Sequence, residues 1–209
     1  MNHHARSTRR RLTACVVALV GAWLAARPLD VLARDGRPSV PSVPAGLEVS
    51  SAHRPYLVGH AVGTQNYVCI QKANGAFAWN PWGPQATLLS DDDEQLITHY
   101  LSANPDESGE QRPTWQHSKD SSQVWAMPIA NSSDPAFVEQ GAVPWLLLRV
   151  VGESNGPSGG RRLTKTSYIQ RVNTSGGLAP TEGCGSGNIG ARALVPYTTD
   201  YYFYAERDR

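Results

Sequence analysis

The stretch NYVCIQKANGAFAW, Asn66 to Trp79, decides the fold class. Two runs rich in aromatic and β-branched residues flank Lys72-Ala73-Asn74-Gly75, and Asn-Gly accepts the positive φ that a tight hairpin turn demands. The same arrangement recurs outward along the chain. ATLL (86–89) and LITHYL (96–101) flank the polar run Ser90 to Glu94, and TWQH (114–117) and QVWAMPIA (123–130) flank Ser118 to Ser122. VPWLLLRVV (143–151) has no polar alternation until Arg149, which predicts a strand covered on both faces. SYIQRV (167–172) and DYYFY (200–204) complete the set. Many short strands joined by Gly, Pro and Asx turns predict an all-β fold. The expected form is a single-domain antiparallel β-sandwich or barrel with at most one or two short helices.

Two segments invite helix. Ser90-Asp91-Asp92-Asp93 spells a capping box, and Leu96, Ile97, Tyr100 and Leu101 fall at helical spacing. Residues 90–101 therefore read either as a strand pair or as a helix. Asp134-Pro135 with Gly141 downstream predicts a short helix, with a cap, a proline in its first turn and a glycine stop.

Residues 1–33 are read as a signal peptide rather than as fold. Arg6, Arg9, Arg10 and Arg11 precede an apolar run from Leu12 to Ala26, too short to span a bilayer comfortably. Small residues at Ala26 and Ala33 suit cleavage. The twin arginines fit either export route, and the general secretory route is favoured over the twin-arginine one. The expected location is periplasmic or secreted, with no stable membrane insertion after the leader is removed. Residues 34–46, RDGRPSVPSVPAG, form a Pro/Ser-rich flexible lead-in, and residues 47–209 form a single β domain.

The whole chain holds 19 basic and 18 acidic residues. Residues 1–33 hold five Arg and one Asp, which leaves 14 basic and 17 acidic residues, net −3. A mildly acidic body has no electrostatic reason to bind nucleic acid or an anionic membrane. Cys15 lies in the leader, so Cys69 and Cys184 remain. In an oxidising compartment two cysteines are most simply one disulfide, closing a loop of roughly 115 residues. Free thiols acting as metal ligands or redox groups are the alternative, and no CxxC spacing supports them.

Several motifs fail on context. Gly185-Ser186-Gly187-Asn188-Ile189-Gly190 spells GxGxxG, but a Tyr-rich strand follows where a dinucleotide site needs a helix. Gly156-Pro157-Ser158-Gly159-Gly160 spells GxSxG, yet the chain again leads into a strand. The acidic run at Asp91 lacks the spacing of a calcium loop. No cofactor is expected. Among the histidines there is no HxH or HExxH spacing, so structural roles come first. A metal site is not favoured; if there is one, distant strands would bring His60, His99 and His117 together.

The segment Ser167 to Thr174 sets the sharpest puzzle. Tyr168, Gln170 and Val172 alternate with Ile169, Arg171 and Asn173, so either face buries a polar group. An unpaired buried Gln or Arg costs about 1–3 kcal/mol or more and requires a partner or a ligand. Arg149 poses the same problem. The expected solution is an ion pair of Arg171 or Arg149 with an acid such as Asp200. Trp145 is read as core, and Trp82, between Pro81 and Gly83-Pro84, as a loop aromatic able to stack on a flat ligand.

GHAVGTQNYVC, GPQATLL, PTWQH, VPWLLLRVV, YIQRVNTSGG with its following AP and GC, and VPYTTDYYFY together resemble a family of exported bacterial and fungal proteins. It is domain of unknown function 3455, and the likeness runs from Val43 to Tyr204. The resemblance implies one globular exported domain, and brings no activity, cofactor or catalytic residue. Some relatives carry a malate dehydrogenase label, for which this chain offers no dinucleotide turn.

The leading expectation is an exported binding module for a small molecule or saccharide, with Gln65, Trp82, Trp115, His117 and Arg171 as contacts. The alternatives are a metal-assisted hydrolase using converging histidines and a non-catalytic envelope structural protein.

Overall fold

A computed structural model describes residues 38–207. The signal-peptide reading of residues 1–33 lies outside them. Eight antiparallel strands form one closed barrel in which each strand pairs with its neighbours in sequence and the last returns to the first. They are β1 (His53–Gln71), β2 (Phe77–Leu89), β3 (Gln95–Asn104), β4 (Glu110–His117), β5 (Gln123–Ser132), β6 (Trp145–Ser154), β7 (Tyr168–Gly176) and β8 (Arg192–Glu206). The barrel alternative is therefore the right one, and closure leaves no open sheet edge.

Residues 90–101 resolve as a strand pair. Ser90 Oγ accepts from the backbone N–H of Asp92 and Glu94, which makes a turn where the capping box was read. The helix expected from Asp134 to Gly141 is absent. Asp134 Oδ1 does accept from Ala136 N–H, but the chain makes successive turns and no helix. Glycine and proline at both ends leave too few residues for a stable helical nucleus. The only helical pieces among the described residues are single 3-10 turns at Pro105–Glu107 and Ser186–Asn188.

Register assigns the inward face. Ala61 pairs with Leu88, Leu88 with Ile97, Ile97 with His117, and Ile169 with Phe203. Leu88, Ile97, Trp115, Val124, Ile169 and Phe203 are completely buried in this central cluster. The inward positions of β1 are small, Gly59, Ala61 and Gly63, which makes room for Tyr197, Tyr201 and Phe203 on β8 beside it. A Cβ on Gly63 would stand 2.1 Å from the Gln85 carbonyl, so only glycine fits there.

The outward face of β6, β7 and β8 is covered as well. Trp145, Leu147, Val172, Tyr202 and Tyr204 pack with Leu47, Val138 and Ala142. This explains the continuous apolar run of β6: Leu148 points to the barrel interior and Leu147 to the outer cluster. From residue 38 the lead-in has no regular secondary structure, yet it packs rather than hanging loose, because Val40 and Val43 join that outer cluster.

Both puzzles of β7 resolve without an acid. Gln170 Nε2 donates to the Leu47 carbonyl (2.5 Å) and its Oε1 accepts from the Tyr204 hydroxyl, which ties the lead-in to the wall. Arg171, on the inner face, donates from Nε (3.2 Å) and Nη2 (2.7 Å) to the Pro144 carbonyl. The expected pair with Asp200 does not form, because Asp200 points outward to His60 and Asn173. Arg149 is exposed and needs no buried partner. Cys69 and Cys184 are joined in a disulfide, which fastens the glycine-rich β7–β8 loop to β1.

Candidate functional site

The barrel interior differs from end to end. At the end where β1 begins, the β6–β7 connection folds inward and Leu163 joins the central cluster fully buried. Thr166 Oγ1 donates to the Leu163 carbonyl, and Ser122 Oγ accepts from Leu163 N–H, which fixes this plug. At the opposite end the interior holds a cavity of about 250 Å³.

Prolines open that end. Pairing of β2 with β3 stops at Ala86–His99, and pairing of β4 with β5 stops at Thr114–Trp125. Beyond those points stand Pro81 and Pro84 on β2, Pro113 on β4 and Pro128 on β5, all lining the cavity. A proline has no N–H to give to a ladder, so these strands part towards the mouth. A bulge in β2 adds to the opening. Asn66 pairs with Gly83 and Tyr67 with Pro81, which leaves Trp82 unpaired between them. Gly83 has φ +107°, and a Cβ there would press to 2.8 Å from Leu101 Cβ.

Deeper in the cavity the lining is aromatic. Trp115 and His99 stack with ring centroids 4.2 Å apart, and Tyr201 meets both edge-on at 5.5 and 5.1 Å. The Thr114 carbonyl can only accept, so His99 Nδ1 carries the proton that bonds it at 2.8 Å. Burial drives the His99 pKa down to about 3, with the nearby Arg171 charge acting in the same direction, so the ring is neutral. The Tyr201 hydroxyl is pushed up by burial, against the pull of Arg171. Gln65, Leu101, Leu146, Leu148 and Arg171 complete the wall.

Three of the five expected contacts thus meet in one cavity: Gln65 from β1, Trp115 from β4 and Arg171 from β7. The other two do not. Trp82 lies in a strand rather than a loop, and its half-exposed ring sits on the outer wall beneath the Arg192 guanidinium, 4.1 Å from the ring centroid. His117 is buried at the plugged end, where Nδ1 accepts from Lys119 N–H at 3.1 Å. Burial lowers its pKa.

The three histidines that a metal site would have used, His60, His99 and His117, do not converge. His60 faces outward and is held between Asp200 (2.7 Å) and Asp91 (2.9 Å), whereas His99 faces the cavity and His117 the plug. The register explains this, since His60 occupies an outward position of β1 while Ala61 beside it points in. No group of three or more His, Cys, Asp or Glu able to hold a metal ion occurs among the described residues.

Tyr201, Leu101, Leu146 and the four prolines were missed as cavity residues. Tyr201 falls on the inward parity of DYYFY, a readable signal once the sheet is known to close. The prolines had no such signal, because their effect depends on which strands face each other.

A second depression of about 380 Å³ lies on the outer wall, lined by Asn66, Trp82, Gln85, Tyr100, Gln111 and Arg192 among others. No helix among the described residues is long and apolar enough to cross a membrane. No curated protein and no solved structure matches the chain. The match to a family model spans residues 50–205, nearly the whole barrel, and on that ground the chain belongs to the family described as protein of unknown function, DUF3455.

Proposed function

We propose that this protein is an exported binding module that holds a small organic molecule in the open end of its barrel. The observation that carries this reading is the cavity itself: an apolar chamber of about 250 Å³ gathering Gln65, Trp115 and Arg171 from three separate strands. A mostly apolar pocket with a few convergent polar groups is the usual form of a small-molecule site, and this volume lies just below the usual range of about 300–1,000 Å³. Export is supported by the basic and apolar leader pattern of residues 1–33 and by the disulfide, a bond that persists in oxidising compartments. Amino-terminal sequencing of the released protein is expected to begin after Ala26 or Ala33.

A melting-temperature screen of the purified protein against small organic compounds tests the binding reading. A ligand at 100 times its Kd stabilises by about 2.7 kcal/mol, on the order of 5–10 °C for a chain of this size. Leu146→Trp, which fills the chamber, is expected to abolish the shift, and Trp82→Ala to leave it intact. A saccharide reading has its own support in the outer depression, where half-exposed Trp82 stands beside the amides of Gln85 and Gln111. The reverse result, loss with Trp82→Ala and none with Leu146→Trp, would move the site to that outer wall. No shift with any compound would leave the envelope structural reading.

A further inference from the structure

We propose that the molecule held in the barrel is a small aromatic monoanion, its carboxylate set against Arg171 and its ring against the stacked His99–Trp115 pair. This rests on the cavity reading above and names the chemistry that the cavity selects.

Three observations converge on it. First, Arg171 is buried in the cavity wall (9 % exposed), and among the described residues no carboxylate pairs with it. Its hydrogen bonds go to neutral groups, the Pro144 carbonyl and the Tyr201 hydroxyl. The groups that feel its charge are the hydroxyls of Tyr67, Tyr197 and Tyr201 and the ring of His99. None of them carries a negative charge at neutral pH. A buried guanidinium without a counter-ion is costly, and an anion entering beside it recovers that cost. Second, Trp115 is fully buried, lines the same cavity, and its Nε1–H has no acceptor among the described residues. A carboxylate or carbonyl oxygen supplies one. Third, the size and lining fit one ring. A dry cavity of about 150 Å³ admits benzene, so about 250 Å³ admits a ring with a short acidic substituent. Flat aromatic surfaces at the base favour a planar partner over an aliphatic chain.

The test compares benzoate, phenylacetate and cinnamate with their primary amides, which match them in shape and lack the charge, by titration calorimetry on the purified protein at pH 7. A charge-assisted bond to a desolvated guanidinium predicts that each acid binds roughly tenfold or more tighter than its amide. Arg171→Gln is expected to erase that preference, and Arg171→Lys to retain part of it. The acid-to-amide comparison on the unaltered protein decides the matter even where Arg171→Gln fails to fold. Equal affinity for acids and amides would overturn the anion proposal while leaving the cavity as a binding site. Absence of binding by both series would overturn the proposal and the cavity reading together.

Discussion

The two ends of the barrel are built from the same eight strands with the same inward parity, and they behave as different materials. At the plugged end the inward residues are Leu88, Ile97, Val124, Ile169 and Phe203, capped by Leu163, and all are completely or nearly completely buried. At the open end the corresponding places go to Gln65, Pro84, Pro113, Pro128 and Arg171, and a chamber remains. One end is a core and the other is a container. The lesson is that closing a sheet does not by itself fill it. Filling requires side chains of the right volume, and prolines that part the strands remove both volume and ladder bonds.

This contrast can be broken in graded ways. Phe203→Ala at the plugged end should cost about 3–5 kcal/mol in denaturant unfolding. Leu101→Ala at the chamber wall should cost less than about 2 kcal/mol, because the residue already borders open space. Equal losses would mean that the open end is packed as tightly as the other. Next in size is the disulfide, which fastens the β7–β8 loop on the open end. Replacing Cys69 and Cys184 by serine should lower stability by about 2–5 kcal/mol.

Two histidines give pH signatures of opposite sign. His99 has its folded pKa depressed to about 3 from an ordinary 6.5, chiefly by burial. The unfolded chain therefore binds the proton first, and stability must fall as pH drops from about 6.5 towards 3. His99→Gln is expected to flatten that acid limb, whatever it costs at neutral pH. His60 is the smaller effect. Partial burial opposes its charge, but Asp200 and Asp91 outweigh that and raise its pKa. Its contribution is complete below about pH 6.5 and is lost as pH rises through the raised value. Being partly exposed, the ring should contribute under about 1 kcal/mol, read as a small change in the melting curve that His60→Ala removes.

Much of the fold was legible because strand signals are local. Asn74-Gly75 marked the first hairpin, and the apolar run at Trp145 to Leu148 reported a strand covered twice. The start of β1 at His53 was not legible, because its glycines and polar residues look like a loop until β8 pairs with them. Trp115 and Arg171 stood in runs read as strands, while Gln65 lay just before the first of those runs. What joined them was closure of the barrel, which no local pattern encodes. The same long-range register sent His117 to the plug and His60 to the outer surface, and it placed Trp82 on a bulge rather than in a loop. The Asp200 partnership of Arg171 was a reasonable electrostatic expectation that parity overturned, since the two residues face opposite sides of the wall.

The most direct test of the container at the open end is a nitrogen-edited NMR titration of the tryptophan indole N–H signals with cinnamate. Trp79 and Trp125 already donate to Glu182 and Ser102, while the Trp115 indole has no acceptor among the described residues. The predicted result is a large, saturable shift of the Trp115 signal with the others nearly still. A titration in which Trp82 moves and Trp115 does not would contradict the account.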